Sequence, residues 1–116
     1  MSQSLNKRYP DPDFSLLNEM AEGDHDFFLE ILSLFLENAP VLVKSIKESS
    51  VSGDFDTLRF SSHKILSDLH IVGLNYTINA VEQIEKEELS QRVDTELVDR
   101  AVQMINYGIE DLKKIK

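Results

Sequence analysis

From Phe14 to Ile115 the apolar residues of this chain return every three or four positions, and no stretch shows convincing strand alternation. That regularity restricts the fold to amphipathic helices packed through their apolar stripes. The punctuation between stripes divides them. Phe14, Leu16, Leu17 and Met20 make a short first helix ended by Gly23, and Asp24 is placed to cap a second. Phe27, Phe28, Ile31, Leu34, Phe35, Leu42 and Ile46 mark the second stripe, which runs to about Ser49. Pro40 lies inside it and lacks a backbone donor, so a kink or brief break is expected there. Asp54 caps a third helix carrying Leu58, Ile65, Leu69 and Val72 up to Gly73. Asn75 is placed to cap a fourth, with Ile78, Val81 and Ile84 inward and the pattern fading near Leu89 and Ser90. Asp94 caps the last, where Leu97, Ala101, Ile105, Gly108, Leu112 and Ile115 recur. Four long helices with short connections predict an all-α fold, an antiparallel four-helix bundle over residues 13–116. The short extra N-terminal helix would cover one end, and residues 1–12, with Pro10 and Pro12, read as a flexible tail.

Composition excludes several functions. A length of 116 residues gives one domain and one core. A net charge of −9 argues against nucleic-acid binding, since the basic residues at the end, Lys113, Lys114 and Lys116, read as cations at a helix C-terminus. The same charge opposes casual self-association, so a monomer is expected. The chain has no cysteine, hence no disulfide scaffold and no thiolate chemistry. No apolar run approaches membrane-spanning length and the first residues lack a signal-peptide core, so a cytoplasmic protein without a membrane segment is expected.

The third helix carries the residue that needs explaining. With His63 set at zero on a helical wheel, Leu58, Ser62, Ile65, Leu69 and Val72 gather around about 220°. Arg59, Ser67 and His70 fall within about 40° of His63, and Phe60, Leu66 and Ile71 flank that strip. His63 therefore faces solvent. It is a surface histidine without a role, a metal ligand, or a nucleophile. Metal binding fits poorly, because His63 and His70 are roughly 10 Å apart along the axis and Glu22 with His25 gives only one Glu-x-x-His match, in a loop. The nucleophile gains from a coincidence of spacing. His63 lies eleven residues before Leu74 and Glu85 eleven after it, so an antiparallel hairpin sets them at one level. A carboxylate there would hold one ring N–H and leave the other nitrogen's lone pair outward. Glu85 is equally well read as a solvated glutamate among Glu82, Lys86, Glu87 and Glu88.

Taken together, these segments resemble a histidine-containing phosphotransfer (HPt) domain of multistep phosphorelays. The resemblance runs from about Phe14 to Leu112. It rests on DFSLLNEMAEGDHDFFLEILSLFLENAPVLVKSI as entry helices, SGDFDTLRFSSHKI around His63, Gly73 ten residues on, and Ile84–Glu85. It implies a four-helix bundle with His63 as the exposed phosphorylation site and Glu85 in the place of a polar residue supporting the imidazole. The implied partners are receiver domains of response regulators and hybrid histidine kinases, whose aspartates exchange the phosphoryl group. The carrier has no cofactor of its own, and Mg is expected on the receiver. The resemblance thus implies a phosphocarrier rather than an independent catalyst.

Two positions depart from the family pattern. Lysine is usual three residues after the histidine and glycine four after, where Leu66 and Ser67 stand. The lysine's charge-assisted contact would be worth about 1–3 kcal/mol. Arg59, Lys64 and the Ser67 hydroxyl are the candidates to supply phosphoryl contacts in its place, while Phe60, Leu66, His70 and Ile71 would form a docking border. The rival reading is a degenerate HPt domain that docks receivers as an inhibitor or scaffold and transfers little.

Overall fold

The computed structural model describes residues 8–115, and all regular structure among them is helical. The helices are α1 (Ser15–Ala21), α2 (His25–Ser52), α3 (Phe55–Val72), α4 (Ile78–Leu89) and α5 (Thr95–Lys113), with a short 3-10 turn (Asn75–Thr77) before α4. Three aspartates start helices as their positions imply. Asp24 accepts from the N–H of Phe27, Asp54 from Thr57 and Asp94 from Glu96, each satisfying an N–H that the first helical turn leaves open.

One core unites the helices. Leu32, Phe35, Ala39, Val43 and Ile46 of α2 meet Leu58, Ile65, Leu69 and Val72 of α3, Val81 and Ile84 of α4, and the Val98–Leu112 stripe of α5. α2 packs on α3 and α5, α3 also on α4, and α4 on α5, while α1 lies against α2 and α3.

α3 ends at Gly73, whose φ of 73° only glycine adopts without strain. The N–H groups of Gly73 and Leu74 return to the carbonyls of His70 and Leu69, the pairing of a Schellman motif. Gly73 also accommodates the incoming chain. The Asp13 N–H donates to the Gly73 carbonyl at 2.9 Å, and the Asp13 backbone occupies the space a Cβ would need. Residues 1–7 of the expected tail lie outside the described residues. Within the described part of that tail, Tyr9 stacks on Tyr76 at 4.5 Å and meets Tyr107 edge-on, and the Arg8 N–H donates to the Tyr107 hydroxyl.

Four local expectations are corrected. The brief break allowed at Pro40 is absent: α2 runs unbroken through this exposed residue, with Phe35 and Ala39 before it and Val43 and Ile46 after it buried in the same core. Asn75 does not cap α4. It opens the 3-10 turn, and α4 begins at Ile78, because the Thr77 hydroxyl bonds back to the Leu74 carbonyl and Leu74 is pulled into the core. Phe27 and Leu34 lie on the exposed side of α2, whose buried stripe is carried instead by Leu32, Ala39 and Val43. Ile115 lies beyond α5 and is exposed, and Lys116 is outside the described residues.

Candidate functional site

α3 buries Leu58, Ser62, Ile65, Leu69 and Val72 and so turns His63 outward, with 75% of its side chain exposed. The polar neighbours inside are satisfied locally: the buried Ser62 hydroxyl donates to the Leu58 carbonyl, and Ser61 shares a hydrogen bond with Ser45 of α2. Neither serine competes for the imidazole.

Glu85 of α4 comes to meet the histidine. Its Oε2 lies 3.2 Å from His63 Nδ1, and Glu85 is 24% exposed. A carboxylate can only accept, so the contact selects the ring form with the proton on Nδ1, and in the neutral imidazole that form keeps the lone pair on Nε2. The equal spacing of the two residues about the Gly73–Leu74 junction thus becomes a contact.

One turn back on α3, Arg59 Nε donates to Glu88 Oε1 at 2.6 Å, and Arg59 Nη1 reaches Asp56 at 3.5 Å. Glu88 is only 2% exposed. Lys64 is held by both carboxylate oxygens of Asp68, at 3.0 and 3.2 Å. Asp56, Arg59, Phe60, His63, Lys64, Ser67, Glu85, Glu88 and Leu89 line one open groove of about 630 Å³. Its apolar lining is Phe60, 69% exposed, and Leu89, 74% exposed.

The predicted residues therefore separate. His63, Glu85, Arg59, Lys64, Ser67 and Phe60 share the groove. Leu66 is half-buried against the core and does not line it. Ile71 is also half-buried and lines a smaller groove of about 200 Å³ between α2 and α3, beside Leu34 and Asn38. Lys64 borders both grooves. His70 is exposed further along α3. Glu88, Leu89 and Asp56 were not singled out by the sequence. Glu88 lies one turn beyond Glu85, a spacing that could have marked it, but in the run EKEEL nothing distinguishes a buried glutamate from its solvated neighbours.

Among the described residues no three histidines, aspartates or glutamates converge to hold a metal ion, and no helix is long and apolar enough to cross a membrane. In comparisons with known proteins, no family model, no curated protein and no solved structure matches the chain.

Proposed function

We propose that this chain is an HPt phosphocarrier, which accepts and returns a phosphoryl group on His63 in exchange with receiver-domain aspartates. The observation that carries the reading is the His63–Glu85 pair: an exposed imidazole whose Nδ1 is held by a carboxylate at 3.2 Å, which leaves Nε2 as the nitrogen not engaged by Glu85. We also infer that α2 to α5 form an antiparallel four-helix bundle. Their neighbour relations, α2 with α3, α3 with α4, α4 with α5 and α5 with α2, make the closed ring such a bundle requires.

In the transfer, the Nε2 lone pair attacks phosphorus on a receiver's aspartyl phosphate. The N–P bond forms, the P–O bond to aspartate breaks, and the electron pair leaves with the carboxylate. Glu85 stabilises the cationic ring of phosphohistidine while Nδ1 keeps its proton. The reverse step returns the phosphoryl group to another aspartate. Such a transfer is chiefly positioning and charge neutralisation, and the receiver would bring its own lysine and Mg. Phe60 and Leu89 give the groove an apolar rim for a partner helix, with Leu66 and Ile71 contributing only through their exposed edges. With such partners the activity would be cytoplasmic.

One observation favours the rival reading of a docking module that transfers little. Leu66 replaces a cation, and both nearby cations already have carboxylate partners, Arg59 in Glu88 and Lys64 in Asp68. The test is incubation with a phosphorylated receiver domain, followed by intact mass and acid lability, with His63→Gln as control. Acid-labile phosphate on the unaltered chain alone supports the carrier. Receiver binding without label supports the docking module, and absence of both removes the HPt reading.

A further inference from the structure

Glu88 is the only acidic or basic residue buried among the described residues. It sits on the inner side of α4, between the helix's apolar stripe and the groove, and its partner is Arg59 across the α3–α4 contact. Burying a carboxylate is unfavourable unless a cation meets it, and an apolar side chain would join two helices at least as well. Adhesion alone therefore gives a poor account of a glutamate here. What the pair does accomplish is to fix a guanidinium. Arg59 stands one helical turn before His63, a spacing that sets two side chains side by side on a helix surface. Glu88 holds it by Nε only, and the terminal Nη groups keep one long contact, to Asp56 at 3.5 Å.

We propose that Glu88 is a positioning residue that clamps Arg59 so that its Nη edge meets the phosphoryl group on His63. The inference rests on the phosphocarrier reading above and extends it to a residue that touches neither imidazole nor phosphorus. As the N–P bond forms, the phosphoryl oxygens carry the charge that the absent lysine would have neutralised. Arg59 supplies the planar donor fork, and Glu88 fixes its direction. The nearby carboxylate also weakens the positive field of Arg59. Orientation and quenching therefore predict opposite signs when Glu88 is removed.

The experiment uses the full chain with phosphoramidate as donor, so that partner docking plays no part. His63 Nε2 attacks phosphorus, the donor's P–N bond breaks, and ammonia leaves. Peptide mass mapping follows label at His63, with His25 and His70 as references in the same chain. The carrier reading requires His63 to label faster than both; if it does not, that reading and this proposal fall together. Given fast labelling, Glu88→Ala should slow His63 about tenfold, the loss expected for one charge-assisted contact, and leave His25 and His70 unchanged. Arg59→Ala should cause the same drop, and the double variant no further one. Glu88→Met, which fills the space without charge, serves if the alanine variant does not fold. An unchanged or faster rate at His63, or additive losses in the double variant, would overturn the clamp and leave the carrier standing.

Discussion

The two ends of α3 are held in different ways. At the Gly73 end the hold is made by backbone: the Schellman pair closes the helix, and the Asp13 chain lies against the glycine with no room for a side chain. Toward the other end it is made by side chains, His63 on Glu85 and Arg59 on Glu88. Gly53, at the junction of α2 and α3, sharpens the contrast. It adopts nearly the backbone conformation of Gly73, φ 78° against 73°, and ends α2 with the same kind of closure, yet a Cβ there would meet nothing. One local conformation serves a tertiary contact at one junction and only a turn at the other. The Gly73 end is thus anchored through backbone, and the His63 end through charged side chains.

The comparison is broken most severely at Gly73. Gly73→Ala should cost about 2–5 kcal/mol, the sum of left-handed strain and a displaced Asp13 backbone. Denaturant unfolding measures it, and a loss no larger than that at Gly53 would dissolve the contrast. Glu85→Ala comes next. If the phosphocarrier proposal holds, phosphoryl transfer should slow by about tenfold or more for want of the charged partner, while unfolding changes by no more than about 1 kcal/mol, as for an exposed ion pair. Stopped transfer assays beside the same unfolding curves separate the two effects. Gly53→Ala follows at about 1–2 kcal/mol of strain alone.

The smallest effect is expected at Asp54, just outside α3. The Thr57 hydroxyl first, and its N–H second, hold the Asp54 carboxyl below its ordinary value. A pKa lowered on folding stabilises the native state above the unfolded value, and this is lost as pH falls through the folded one. Asp54→Ala should therefore be slightly less stable than the unaltered chain at neutral pH, with the difference closing in acid below the ordinary carboxylate range. Thermal melts across that range measure it, and a constant difference would exclude a charged cap.

The parts of this fold legible in the sequence are those made by near neighbours. Asp24, Asp54 and Asp94 cap what they precede, and the α3 wheel turns His63 outward because Leu58, Ile65, Leu69 and Val72 define one stripe. The His63–Glu85 contact was legible too, since a hairpin converts equal spacing into proximity. α2 was harder: apolar residues surround more than half of it, so spacing alone does not choose Leu32 and Val43 over Leu34. The double demand on Gly73 and the burial of Glu88 depend on segments distant in sequence, Asp13 for the one and Arg59 for the other. No local pattern announces either.

The tyrosine cluster turns the difference between the two ends into an optical one. The chain has three tyrosines and no tryptophan, and Tyr9, Tyr76 and Tyr107 all gather beside the Gly73 junction. His63 lies ten residues up the helix, about 15 Å along its axis. Near-ultraviolet dichroism and intrinsic fluorescence thus watch the anchor and are nearly blind to the imidazole. Chemistry at His63 that leaves those spectra unchanged stays local, and a spectral change on phosphorylation would mean that the signal travels the length of α3.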